Sequence, residues 1–360
     1  MAEETNNNEI PMMFGAVDPV LEVLVESPKE TATGSSWVRW GDKNTYPQYI
    51  DSLCKDAPTL RSCILGSIDY VCGNSVTAVR GLQGEFFDRK RTTAKKLVKD
   101  TAKSILKWGG FAWKVTMNKG LDTIAEIENI PVKFLRTDED CTTFWYNEKW
   151  GKGYKTTEYP AWMAGSKVAE SIYFVKVWGD GTYPEPLFCA SVKDAEIERG
   201  IAEYHLGSLT RGFMGSYLVN FNNGSNISDD NKKKIEKAFT EKFAGKSNAG
   251  RIMFSFNPNV QNRTTLEKME ITDYGEKYQT LKDASRQGIF TAFRAHPTLF
   301  GLAESSGFNQ EEYDGAFRLF NRTLIQPIQQ EIVDAFEAVL GRGAIVIEPF
   351  TLDGATNNVQ

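Results

Sequence analysis

The chain has 360 residues, 41% of them hydrophobic and 25% charged, with a formal net charge of −5. That length buries a sizeable core in one large or two ordinary domains, and the composition excludes wholesale disorder and collagen-like or low-complexity fibres. The acidic balance excludes a conventional nucleic-acid binder that works by broad phosphate neutralisation.

The start, MAEETNNNEI, is acidic and polar and lacks the basic opening and apolar centre of a secretory signal. The longest apolar runs, such as Ala344-Ile345-Val346-Ile347, are too short to cross a bilayer. The expectation is a protein made and kept in a reducing cytoplasm. Five cysteines (Cys54, Cys63, Cys72, Cys141, Cys189) without CxxC spacing, beside only two histidines, point to core thiols rather than to a zinc site or a disulfide framework.

Residues 1–40 read as a flexible arm, with the Ser/Thr/Gly-rich stretch ETATGSS and one apolar patch from Val20 to Val25; order begins at SWVRWGDKNTYPQYI. Tyr49 to Gly73 reads as a helix broken or kinked near Pro58, and residues 91–108 as a second helix with Leu97, Val98, Ala102, Ile105 and Leu106 on one stripe. From Gly109 the period changes to alternation, and strand-like runs continue through FWYNEKW and SIYFVKVWG to residue 179. Helices and strands that cluster in this way indicate an α+β fold rather than a doubly wound sheet.

The second half is organised differently. Residues 193–214 carry Ile197, Ile201, Tyr204, Leu209 and Phe213 at helical spacing. A strand, Tyr217 to Phe221, is followed by a helix with Ser228 as N-cap and Asp229-Asp230 in its first turn, where the helix dipole favours acids. That helix ends at Gly245, and a strand from Arg251 to Phe256 completes a small β-α-β insert before a second helix over 273–296. A long helix begins at Asn309, with Glu312 three residues on. Its stripe runs from Tyr313 through Phe320 and Ile332 to Val339 with Pro327 inside it, and Gly341 caps its end. That predicts one kinked helix, then one strand.

Few motifs carry chemistry. AGKSNAG contains Gly-Lys-Ser, but a phosphate-binding loop needs glycine where Thr240 stands and a helix after the loop, not before it. No nucleophile–base pair is evident. His205 lies in an apolar stripe and reads as a core histidine, while His296 precedes a proline and reads as a helix-end cap. No catalytic residue, metal ligand or cofactor site is assigned. The insert helix stands out: Lys232, Lys233, Lys234, Lys237, Lys242, Lys246 and Arg251 outnumber Asp229, Asp230, Glu236 and Glu241 in an acidic chain, so it is a candidate docking surface for an acidic partner.

The order of elements resembles the tailed-bacteriophage portal protein family, the head–tail connectors. The residues that carry the resemblance are YLVNFNNG followed by ISDDNKKKIEKAFTEKFAGKSNAGRIMFSF, then IFTAFRAHPTLFGL and FNQEEYDGAFRLFNRTLIQPIQQEI, with GGFAWKV upstream. The match covers residues 193–341 best and is weaker from 41. The resemblance implies a portal-like α+β fold: an α/β wing (41–192), a two-helix stem (193–215 and 269–296), a small β-α-β clip (216–268), a tunnel loop (297–308), a long kinked wing helix (309–341) and a tail (342–360) with little or no crown.

The resemblance further implies a ring, normally of twelve copies, at one capsid vertex of the virion, assembled in the cytoplasm of a host bacterium. Double-stranded DNA would pass through it non-specifically during packaging and ejection. Its partners would be the terminase large subunit, the major capsid or scaffold protein and a head–tail adaptor, with no membrane and no enzymatic activity. The tunnel loop would be Leu299, Phe300, Gly301, Leu302, Ala303, Glu304, Ser305, Ser306 and Gly307, and the stem lining Lys282 and Arg286. The clip lysines Lys232, Lys233, Lys234, Lys237 and Lys242 would dock the terminase. Stem charges (Glu196, Glu198, Arg199, Glu203, Asp283) would pair between subunits. The alternatives are another structural virion or head-assembly protein, such as an adaptor or minor capsid protein, and a soluble enzyme with an unrecognised site.

Overall fold

The computed structural model describes residues 29–32, 37–78, 82, 86–150, 155–210, 217–221, 228–243, 252–256, 274–301 and 310–351. The chain divides into two compact units, a larger one from Leu24–Arg199 with Gln279–Gln360 and a smaller one built on Gly200–Tyr278.

The larger unit opens with β1 (Glu30–Ala32) and β2 (Val38–Trp40), paired antiparallel. Strand β1 lies ahead of SWVRW, where order was expected to begin, so folded structure reaches further forward than the sequence indicated. The cause is tertiary. The Glu30 carboxylate accepts the backbone amides of Thr182 and Tyr183 at 2.9 and 2.8 Å, and Trp40 stacks on Tyr183 at 4.4 Å.

Helices α1 (Tyr46–Asp56) and α2 (Pro58–Cys72) replace the single expected helix. Pro58 has no N–H to continue α1 and pushes the residue before it out of the helical region, so Ala57 is extended and Pro58 starts α2. After β3 (Ser75–Ala78) comes α3 (Ala94–Trp108), capped by Thr93, whose hydroxyl accepts Lys96 N–H at 3.3 Å. It stops at Gly109, which takes the left-handed φ of 81°.

The strands that follow are β4 (Gly110–Met117), β5 (Ile124–Ile130), β6 (Leu135–Thr137), β7 (Thr143–Tyr146), β8 (Thr157–Pro160) and β9 (Glu170–Lys176). They make two antiparallel three-stranded sheets, ordered β5-β4-β9 and β6-β7-β8. Arg136 of β6 is fully buried. Its guanidinium donates to Asn44 and to the Leu135 carbonyl at 2.6 Å and lies 4.8 Å from the Trp150 ring, so the buried charge is hydrogen-bonded throughout.

Helix α4 (Val192–Thr210) leads into the smaller unit, where β10 (Tyr217–Phe221), α5 (Asp229–Phe243) and β11 (Ile252–Phe256) form a β-α-β unit with parallel strands. The Ser228 carbonyl accepts the amides of Asn231 and Lys232 where α5 begins. Helix α6 (Tyr274–Ala292) returns to the larger unit.

The long helix is α7 (Gln310–Phe320), a π-turn over Asn321–Ile325 and α8 (Gln326–Leu340), and then β12 (Ile345–Glu348) pairs antiparallel with β3. The kink expected at Pro327 takes the form of that π-turn. Pro327 cannot donate to the carbonyl four residues back, Thr323, and this carbonyl accepts Arg294 Nη1 at 3.4 Å instead. The next amide back, Gln326 N–H, reaches Asn321. The core of the unit lies where α3, β4 and α8 meet: Trp113 is fully buried, donates to Thr101 Oγ1 at 2.9 Å and sets its ring 4.7 Å from Phe336.

Gly109 joins α3 to β4 with positive φ, and a Cβ there would lie 1.8 Å from the Glu185 carbonyl oxygen. Both strain and a backbone clash then oppose any side chain. Gly109→Ala is expected to lower stability by about 2 kcal/mol or more, read as a fall in the denaturant midpoint; an unchanged midpoint would contradict the geometry.

Candidate functional site

The root of α4 is tied to the larger unit by charges that had been expected to face neighbouring subunits. Glu196 and Glu198 are only 6% and 5% exposed. The N-terminus of α2 has no local side-chain cap, since Ala57 cannot supply one. The Glu198 carboxylate takes that role from another helix. It accepts Thr59 N–H at 3.0 Å and Thr59 Oγ1–H at 2.6 Å, meeting a dipole that favours an anion. Glu196 pairs with Arg199 at 2.6 Å, and beside it burial and then Glu196 raise the phenol of Tyr49 far above its usual range. Glu198 and Arg199 thus find partners inside the subunit, as does Glu196 Oε2, while Glu196 Oε1 is buried without a hydrogen-bond partner among the described residues.

A second charged centre lies on α1. Asp51 meets Lys107 at 2.6 Å, Lys55 at 2.8 Å and Lys133 at 2.9 Å. Burial by itself would raise its carboxyl, but the hydrogen bonds from the three lysines outweigh it and hold the group well below the ordinary carboxylate range.

The expected tunnel loop begins as an anchor. Leu299 is buried at 8% exposure, and its carbonyl accepts the Tyr70 hydroxyl at 3.3 Å. Phe300 is half-buried, with its ring 5.9 Å from Phe290 and 5.8 Å from Phe320. It rests on Gly66, where a Cβ would come within 2.7 Å of the ring. These two residues point into the core rather than away from it, whereas Gly301, at φ 78°, is exposed. Leu302, Ala303, Glu304, Ser305, Ser306 and Gly307 lie outside the described residues, as does the expected cap Asn309. Across the base, His296 Nδ1 is 2.8 Å from Thr298 Oγ1, and Nε2 is 3.5 Å from Glu312 at the start of α7.

On α6, Lys282 and Arg286 are half-buried and Arg286 lies 3.7 Å from Asp283 of its own helix. On α5, Lys233, Lys234 and Lys237 are exposed and Lys232 pairs with Asp229 at 2.9 Å; Lys242 is placed on the helix by its backbone alone. His205 is not a core residue: it is exposed, its ring 5.6 Å from that of Tyr278, which also stacks with Tyr204 at 5.1 Å. Cys54, Cys63 and Cys72 are buried as expected, whereas Cys189 is exposed. Apolar side chains stand in solvent on both long helices, with Tyr204, Leu206 and Leu281 at 46%, 64% and 42% exposure.

Among the described residues no group of three His, Cys, Asp or Glu is placed to hold a metal ion, and no described helix is long and apolar enough to cross a membrane. A cavity of about 350 Å³ between Met117, Ile124, Trp162, Met163 and Val339 carries Asp122 and Lys167 as its charged groups, without a nucleophile–base pair. The residues that sequence reasoning missed are Gly66, Tyr70 and Thr59. Glycine within a helix is the one signal that could have flagged the first.

No family model matches the sequence, and no curated protein matches it. Solved structures match in fold. A chain in the neck of a native gene transfer agent (GTA) particle, computed with C12 symmetry, aligns with a TM-score of 0.54 at 16% identity, over 86% of this chain and 85% of that one. A chain in the virion of the native GTA particle gives 0.52 at 16% identity over 85% and 84%. An HK97-family phage portal protein from Corynebacterium diphtheriae gives 0.51 at 11% identity over 83% of this chain and 94% of that one. The chain therefore has the fold of a phage portal protein.

Removing the Glu198 carboxylate strands the Thr59 donors, so Glu198→Ala is expected to cost about 3 kcal/mol and the isosteric Glu198→Gln about 1. Equal denaturant midpoints for both variants and the parent would refute the cap. For Asp51, whose folded-state carboxyl is depressed, the stabilisation is present above the unfolded value of about 4 and drains away as pH falls below it. Stability curves measured downward from there should be shallower for Asp51→Asn than for the parent.

Proposed function

We propose that this chain is a portal subunit: a ring of copies, normally twelve, at one vertex of a phage or phage-like capsid, through which duplex DNA is packaged and later ejected. The observation that carries this reading is the portal fold itself, sustained over most of this chain and most of the portal protein it matches. The exposed Tyr204, Leu206 and Leu281 support oligomerisation, because long helices that leave such side chains in water gain by packing against neighbours. Obligate ring interfaces of this kind bury on the order of 2,000 Å² or more.

In this reading residues 41–192 form the wing, α4 and α6 the stem, 216–268 the clip and 309–341 the long wing helix. The stretch from Gly301 to Gly307 contacts moving DNA. It carries no basic residue, which suits a surface that duplex must slide past, since each phosphate contact would add a salt-dependent hold. The anchor at Leu299 and Phe300 fixes where that stretch starts, while its glycines leave the backbone free to follow the duplex. Lys282 and Arg286 face the bore in small number, and Asp283 offsets one of them. The exposed lysines of α5 present a positive face to an acidic partner, the terminase large subunit, and later to a head–tail adaptor. The protein works as a conduit without catalysis, in the virion, after assembly in a bacterial cytoplasm with capsid or scaffold protein.

Negative-stain microscopy of the purified protein, with mass measured in parallel, tests the reading. Rings with a central hole and about twelve copies are expected. A monodisperse monomer or dimer at every salt concentration, with and without scaffold protein, would overturn it.

A further inference from the structure

Positive charge is also gathered on one helix of the proposed wing that has been given no role of its own. Helix α3, AKKLVKDTAKSILKW, has five lysines against one aspartate in a chain of net charge −5. Its apolar residues Leu97, Val98, Ala102, Ile105 and Leu106 are buried, so the cationic groups share the remaining surface. Lys95, Lys99 and Lys103 stand four residues apart on the exposed side with a rise of about 6 Å per step, while the next in the series, Lys107, is buried. Like charges at this spacing weaken a helix, so the ladder is not explained by stability.

Compensation is partial. Lys96 pairs with Asp100 at 2.7 Å, Lys99 reaches Asp69 at 3.5 Å, and Lys107 shares Asp51 with Lys55 and Lys133. Among the described residues no ion pair forms at Lys95 or Lys103, and both are exposed. Burial of its stem, and then the neighbouring Lys107, lower the ammonium of Lys103 below its usual range. Lys107 is buried in the cluster at Asp51, so the exposed ladder consists of Lys95, Lys99 and Lys103.

We propose that this face of α3 is a non-specific binding surface for duplex DNA, separate from the bore. Lysines alone form it, and flexible point charges neutralise phosphates without the fixed geometry that an arginine fork imposes. The ladder offers no arginine, asparagine, glutamine or aromatic group to read base edges, so it takes duplex of any sequence. A row of one charge sign, about 12 Å long from Lys95 to Lys103, fits a continuous line of phosphates better than the scattered carboxylates of a folded protein surface. The proposal rests on the portal reading for the presence of DNA. It assigns the chain a second mode of contact, in which duplex is held rather than passed.

The test is fluorescence anisotropy of a short labelled duplex of mixed sequence with the full-length protein, across a salt series. The parent is compared with the triple variant Lys95→Gln, Lys99→Gln, Lys103→Gln. Glutamine matches lysine in helix propensity, and the positions are exposed, so the fold is retained. The plot of log affinity against log salt should become shallower by about 2 to 3 for the three lost contacts, with affinity at low salt falling at least about tenfold. Equal slopes and affinities, or no binding by the parent at low salt, would overturn the proposal. So would a variant that alters only the oligomeric state, which would assign the face to contact between subunits. Rings seen by microscopy with lysine-independent duplex binding leave the portal reading standing and remove this one; lysine-dependent binding without rings does the reverse.

Discussion

Burying a carboxylate on α4 is possible because the start of α2 needs one. Pro58 breaks the first helix, forces Ala57 into extended conformation and leaves the new helix N-terminus without a local cap. Glu198, 139 residues along the chain, fills the vacancy. Neither partner is comfortable alone: the carboxylate would be buried unpaired and the amides would be orphaned. Their mutual need sets the depth at which α4 leaves the larger unit. Beside them, Ser191 Oγ donates to the Gly288 carbonyl at 2.9 Å, and Phe188 stacks on Phe293, so the root of α4 is also fastened to α6.

Local signals and tertiary ones parted company in an orderly way. The insert strand at Tyr217–Phe221 was readable to the residue because turn chemistry and alternation bracket it, and the cap signals at Ser228-Asp229 placed α5. The break at Pro58 and the apolar stripe from Tyr313 to Val339 were equally plain, since backbone chemistry and period act within a few residues. What failed were judgements about which face is covered. Glu196 and Glu198 read as a wet face because charged residues are seldom buried without partners, and the partner of Glu198, Thr59, lies far off in sequence. Ile197, Ile201 and Tyr204 read as one buried stripe, yet only Ile201 is buried and Tyr204 is exposed.

The candidate site shows the same division. The apolar, glycine-bearing character of Leu299 to Gly307 marked a special loop, but one pattern covered two jobs. Leu299 and Phe300 are apolar because they pack, a role apart from the one proposed for the stretch from Gly301. The notch at Gly66 that separates the two jobs lies on α2, beyond any local window. The lysines of α3 were visible all along. They went unweighed because a net acidic charge averages over the whole chain, whereas electrostatic recognition depends on where like charges are gathered.

The pairing of β3 with β12 joins Ser75–Ala78 to Ile345–Glu348, and Gln329 hydrogen-bonds the Val71 carbonyl 258 residues away. The smaller unit, by contrast, interrupts the larger one and keeps its strand pairing within a short span of chain. On a ribosome the two therefore have different schedules. The insert can complete its parallel pair while translation continues. The larger unit has to wait until Ile345–Glu348 has been made before β12 exists, and until then it exposes β3 without its partner strand. Closing such distant contacts is slow, so for this chain the interval before β12 pairs with β3 is when chaperones and neighbouring copies compete for the same unfinished surface.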